Sequence, residues 1–145
     1  MPYCYEYPRP AVATDIVLIA KEASDTKILL IKRKNDPFKG MWAFPGGFMD
    51  LNETLIETAQ RELFEETSIK INELKFFGIY DHPHRDPRGR TIGVVYFALL
   101  ENVIKPQSGD DASQAQWFST NQLPPLAFDH EKIWHDIQQK ILTQN

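Results

Sequence analysis

At 145 residues the chain suits one domain, expected to run over 1–145, and is long enough to bury a core. Hydrophobic residues make up 42% and charged residues 25%, an ordinary globular balance, and a net charge of −4 argues against a general nucleic-acid binder with a basic face. A single cysteine, Cys4, excludes an internal disulfide, and the longest apolar run, Val94 to Leu100, is far shorter than the roughly 20 residues of a membrane helix. The start of the chain lacks a basic-then-apolar signal pattern. The expectation is a cytoplasmic protein that binds neither nucleic acid nor membrane.

Met1 to Pro10 holds three tyrosines and three prolines, which predicts an extended arm whose aromatics cover the protein's own fold. Ala11 to Ala20 alternates and then turns continuously apolar at Ile16, as a buried strand does. Lys21 to Thr26 reads as a polar turn and Lys27 to Arg33 as a second strand, the two forming a hairpin. Asn35-Asp36-Pro37 breaks the pattern, and Trp42 in the aromatic segment that follows reads as core. Pro45-Gly46-Gly47 suits neither regular helix nor a good strand. Its glycines permit close approach of a ligand or metal.

Thr54 and Glu57 form a capping box that starts a helix. On a 100° wheel Leu55, Ile56, Ala59 and Leu63 fall on one stripe, and Glu62, Glu65 and Glu66 occupy the neighbouring sector. Like charges so placed repel by a few tenths of a kcal/mol per pair in an isolated helix. A divalent cation with oxygen preference reverses that sign, and a free carbonyl in the glycine loop is a further hard-oxygen donor. A merely solvated acidic face would explain the acids alone. It would not explain their spacing together with the glycine loop.

Ile71 to Tyr80 contains a third strand, and Thr91 to Leu100, rich in β-branched and aromatic residues, is the strongest in the chain. Between them Arg85, Arg88 and Arg90 suit a grip on phosphates or ribose hydroxyls, or else a solvated hairpin tip; spacing leaves both open. His82 and His84 lack the further ligands of a zinc site. Glu101 to Ser113 is a polar connection, and Trp117-Phe118 ends a short strand. Thr120 to Leu123 is a helical turn stopped by Pro124-Pro125. Asp129 is expected to cap a final helix with Ile133, Trp134, Ile137 and Ile141 on its apolar stripe.

The stretch Gly46 to Ile69 resembles the signature of the Nudix hydrolases. Gly47, Glu53, Arg61, Glu62, Leu63, Glu65, Glu66 and Ile69 fill its defined places with the required spacing. Ser68 stands where that family has glycine, just past the helix end, where a left-handed residue is common. The resemblance implies an α+β fold, an α/β/α sandwich with a mixed sheet between helices, and Mg²⁺ or Mn²⁺ as cofactor. It implies Glu62 and Glu66 as main metal ligands, Glu65 as ligand or base, and the Gly46 carbonyl as a further ligand. Gly47, Glu53 and Arg61 become structural, with Glu53 and Arg61 pairing to hold the loop. In several members an acid before the equivalent of Trp117 serves as ligand or base. Asp111 has that spacing, with Asp110 in reserve.

The Asp-Pro-Arg-Gly-Arg run ending at Arg90, and Leu126-Ala127-Phe128-Asp129-His130, are similar to the ADP-ribose pyrophosphatase branch of that family. This implies hydrolysis of ADP-ribose to AMP and ribose 5-phosphate, with Arg33, Arg85, Arg88, Arg90 and Phe128 as substrate-binding candidates. Phe128 suits core packing as well as a base pocket. Two other readings stay open: a hydrolase of 8-oxo-dGTP-type triphosphates, and a non-catalytic ADP-ribose-sensing module like that of Nudix-related regulators. The intact acids favour an enzyme. The partner expected is a small nucleotide, and a two-fold homodimer is the expected assembly.

Overall fold

The computed structural model describes residues 2–107 and 112–142. Strands β1 (Ala11–Glu22) and β2 (Asp25–Arg33) form the expected antiparallel hairpin. Its turn is tighter than the polar composition suggested, because Ala23 takes a left-handed φ of 57° and lets both strands run two residues further. β6 (Thr91–Leu100) then pairs parallel with β1 along its whole length, and β5 (Lys75–Tyr80) pairs antiparallel with β6. β7 (Ala112–Ser119) pairs antiparallel with the outer side of β2.

β1 and β2 separate early. Their pairing covers only Ile19↔Ile28 to Glu22↔Asp25, and each strand then takes a new neighbour in the opening. β3 (Trp42–Ala43) joins β2 at Ile31 and Lys32, and β4 (Gly46–Phe48) joins β1 at Ala13 to Asp15. The glycine pair is therefore a short strand, contrary to the sequence expectation. Glycine is what permits it: a Cβ on Gly46 would lie 2.0 Å from the Thr14 carbonyl oxygen.

The mixed sheet is covered on both faces, which accounts for the unbroken apolar run of β1. Ile16, Leu18 and Leu29 pack with Ala59 and Leu63 of α1 (Leu55–Thr67). Val17, Ile19 and Leu30 face the other way, against Ile133, Trp134 and Ile137 of α2 (His130–Ile137). This is the α+β sandwich expected. Trp42 packs against that second cluster, edge-on to Phe118 with ring centroids 4.7 Å apart.

α1 starts as its sequence dictates. The Thr54 hydroxyl accepts from the Glu57 N–H, and the Glu57 carboxylate accepts from the Thr54 N–H. At its other end Ser68 keeps the left-handed conformation, φ 62°, and donates its N–H to the Phe64 carbonyl at 2.8 Å. A side chain there costs about 1–2 kcal/mol, and the extra chain entropy of glycine returns about half of that. Ser68→Gly is expected to stabilise the fold by about 0.5–1 kcal/mol, read as a melting temperature higher by about 2–3 °C.

Two further expectations fail. Tyr3, Tyr5 and Tyr7 are 71%, 48% and 73% exposed and do not cover the fold. They find partners within the arm, where Tyr3 and Tyr5 stack and the Arg9 guanidinium lies 3.8 Å from the Tyr5 ring centroid. Asp129 precedes α2 without a side-chain capping bond, because its carboxylate is taken by Arg85.

Candidate active site

The opening between β1 and β2 is where the chemistry-bearing residues meet. A pocket there is lined by Asp15 of β1, Arg33 of β2, the glycines of β4, Glu66 of α1, and Arg88 and Phe128 from distant loops. An adjoining pocket shares Arg33, Gly46, Gly47 and Glu66 and adds Arg61 and Glu62. Glu62 and Glu66 of the helix thus stand beside the glycine strand.

Arg61 ties this corner together. Its Nη2 and Nε donate to the Glu53 carboxylate at 2.7 and 3.0 Å, its Nη1 to Glu62 at 2.6 Å, and its Nη2 to the Phe48 carbonyl at 3.1 Å. Glu53 also accepts from the Asp50 N–H and the Thr58 hydroxyl, so one carboxylate and one guanidinium lock the loop onto the helix. These bonds, Arg61's first, hold the Glu53 carboxyl down at about 2. A lowered folded value means the contribution is present above the unfolded carboxylate range and is lost as pH falls towards 2. The melting temperature of the parent is expected to fall more steeply than that of Glu53→Gln between pH about 4.5 and 2, checked by calorimetry.

Glu66 is 6% exposed and accepts the Gly46 N–H at 2.8 Å. Glu62 lies close against the glycine strand, where a Cβ on Gly47 would lie 2.4 Å from its carboxyl carbon and push the carboxylate aside. Two carboxylates nested against glycine backbone are a donor set that fits a hard divalent cation. Glu65 stands apart, about half exposed, with Arg61 Nη1 at 3.3 Å. Among the described residues no group of three or more His, Cys, Asp or Glu side chains converges as a metal site. The Arg61 guanidinium draws Glu62 and Glu65 to itself. Asp110 and Asp111 lie outside the described residues.

The arginines divide. Arg33 and Arg88 both lie over the Phe128 ring, 4.9 and 5.3 Å from its centroid, and Arg88 also lies 4.8 Å from Phe48. Burial, then the nearby Arg88 charge, lowers the Arg33 pKa, and Glu66, Asp86 and Asp15 only partly oppose them. Asp86 holds Arg88 in place at 2.8 Å. Arg85, placed by its sequence among the phosphate-gripping or solvated residues, turns inward instead. Its guanidinium donates twice to Asp129 at 2.8 Å and lies flat on Gly93, where a Cβ would come within 2.9 Å of its central carbon. Arg90 does not join Arg88. It lines a separate groove with Tyr80, Lys132 and Asp136, and Arg85 borders both that groove and the central pocket.

Sequence reasoning gave no role to Asp15, Phe48, Asp86 or His130, all of which line the central pocket, although Asp86 and His130 stand in the two quoted runs. Asp15 left one usable signal, a charge at the head of an otherwise apolar run. His130 is 3% exposed, and its Nδ1 accepts the Phe44 N–H at 3.1 Å.

The profile described as NUDIX domain matches residues 9–137. The chain belongs to the Nudix family. It is 47% identical over 131 residues to a protein of Methanocaldococcus jannaschii named ADP-ribose pyrophosphatase, covering 90% of this chain and 74% of that one. It is 35% identical over 143 residues to the ADPR responsive transcriptional repressor NtrR of Acinetobacter baylyi, covering 96% of this chain and 56% of the repressor. The NUDIX domain of Shewanella oneidensis NrtR, solved with ADP ribose, superposes with a TM-score of 0.87 at 29% identity, covering 93% of this chain and 90% of that one. The chain spans little more than half of the repressor it matches. Nudix hydrolases work with divalent metal ions, and the donor set at Glu62 and Glu66 suits one. Among the described residues no helix is long and apolar enough to cross a membrane.

Proposed function

We propose that this Nudix chain hydrolyses the diphosphate linkage of ADP-ribose, giving AMP and ribose 5-phosphate, with Mg²⁺ as the working cation and Mn²⁺ as a substitute. The observation that carries the reading is the pairing of opposite charges across one opening. Arg33 and Arg88 stack on Phe128 on one wall, and Glu62 and Glu66 nest on the glycine strand beside them. A diphosphate is the anion that can satisfy both, directly at the guanidiniums and through a cation at the acids. The similarity to the pyrophosphatase of M. jannaschii supports the same substrate.

Water adds to one phosphorus and the bridging P–O–P bond breaks, the oxygen of the departing phosphate taking the electron pair. A bound Mg²⁺ would neutralise phosphoryl charge and lower the pKa of the attacking water. Glu62 and Glu66 hold that charge in place, and the Gly46 carbonyl is the further ligand proposed. Arg61 keeps Glu62 against the glycine strand. Glu65 and Asp111 are the candidates for the water's proton, and comparing Glu65→Gln with Asp111→Asn separates them.

A divalent-cation-dependent screen against ADP-ribose, NADH, dinucleoside polyphosphates and 8-oxo-dGTP tests the substrate. Preference for 8-oxo-dGTP would overturn it. The second reading, a sensor that binds ADP-ribose without cleaving it, draws on the likeness to the NtrR repressor. Tight binding without turnover would establish that instead. Arg88→Ala is expected to raise KM for ADP-ribose about tenfold with a smaller change in kcat, the loss of a charge-assisted contact. Unchanged kinetics would return Arg88 to the role of a surface side chain.

A further inference from the structure

The central pocket is cationic at Arg33 and Arg88, but another part of its wall carries the opposite sign. Asp15 lines the pocket with its carboxylate 13% exposed, and among the described residues no ion-pair partner comes nearer to it than 3.5 Å. Its neighbours are His130 Nε2, 3.5 Å from Oδ1, and Arg85 Nη2, 3.8 Å from Oδ2. Arg85 is already committed to Asp129 through two bonds of 2.8 Å. His130 accepts at Nδ1 from the Phe44 N–H, which places its ring proton on Nε2 and leaves the imidazole neutral. Two carboxylates, Asp15 and Asp129, therefore flank the one Arg85 guanidinium, an excess of one negative charge around it.

An ionised carboxylate only accepts hydrogen bonds, and one this poorly supplied is poised for donors from a ligand. A phosphate in the same place would meet a like charge in a half-buried setting, where repulsion is weakly screened. We propose that Asp15 sets the orientation and specificity of the site: it receives the neutral, hydrogen-bond-donating end of the substrate and turns away any group carrying a further phosphate. The occupant is the terminal ribose, whose neighbouring hydroxyls can donate to both carboxylate oxygens. The adenine amino group offers the same chemistry from the other end of the molecule. The inference rests on the ADP-ribose reading and adds which residue discriminates and against what.

The test uses the full chain and its Asp15→Asn and Asp15→Ala variants, with melting temperatures recorded for each. Substrates are ADP-ribose, ADP-ribose bearing an extra phosphate on the terminal ribose, ADP-ribose bearing it on the adenosine ribose, and the hypoxanthine analogue. The parent is expected to disfavour the terminally phosphorylated compound by about tenfold or more in kcat/KM. Asp15→Asn is expected to raise KM for ADP-ribose about tenfold, leave kcat within about threefold, and erase most of that discrimination. A gain on the phosphorylated compound cannot come from a merely loosened fold. If only the adenosine-phosphorylated and hypoxanthine compounds respond, the donor is the base end and the ribose assignment is overturned. Equal discrimination in parent and variants, or none in the parent, overturns the role of Asp15 while leaving the hydrolase reading intact. A parent without turnover of ADP-ribose overturns that reading first, and this one with it.

Discussion

Glu66→Gln is expected to lower kcat on ADP-ribose by about 100-fold or more, while the melting temperature moves by less than about 2 °C. The two halves have separate causes. Glu66 is nearly buried and its Oε1 accepts the Gly46 N–H, a bond that the glutamine carbonyl oxygen can also accept. What the substitution removes is the negative charge beside the glycine strand. Cation-assisted stabilisation of phosphoryl transfer is worth several kcal/mol, and about 2.7 kcal/mol already corresponds to 100-fold. Steady-state rates over a Mg²⁺ titration, with calorimetry on the same samples, separate chemistry from folding. A variant that turns over at the parent rate would remove Glu66 from the metal site. A variant that melts far lower would make it a structural residue.

Arg61→Ala is expected to act on both. The guanidinium bonds Glu53, Glu62 and the Phe48 carbonyl at once, and its removal frees the loop from the helix. Charge-assisted bonds are worth about 1.5–3 kcal/mol each when desolvated. Arg61 is partly open to solvent, so a total loss of about 1–2 kcal/mol, or about 3–5 °C in melting temperature, is the expected size. Glu62 loses the partner that orients it, and outer-sphere losses of this kind weaken metal affinity or activity about 10–100-fold. Arg61→Lys is not expected to rescue, because a single ammonium cannot span the two oxygens of Glu53 and reach Glu62 as well. Rescue by lysine would show that charge alone, without the fork, holds the corner.

Most of what was legible in advance was local. The capping box of Thr54 and Glu57, the helix between them and Ser68, and the shared side of that helix from which Glu62 and Glu66 project follow from neighbours along the chain, whose relative positions a helix of fixed pitch dictates. Ser68 stood open, since a serine could keep the left-handed cap at a cost or let the chain exit differently, and the chain keeps the cap despite the missing glycine.

The residues whose surroundings were not legible owe their positions to partners far along the chain. Arg85 looks like its neighbours Arg88 and Arg90 until Asp129, 44 residues on, draws it inward across Gly93. Asp129 looks like a helix cap for want of the same information. Gly46 and Gly47 look irregular until β1 supplies a strand to pair with, Asp15 carries no motif, and His130 only ends a quoted run without a role of its own. Sequence by itself determined the family, the acidic helix and the longer strands, because these depend on spacing. Only the tertiary structure decided where β1 and β2 part, and with that which charges line the opening, because ion pairs and strand partners are chosen by distance in space.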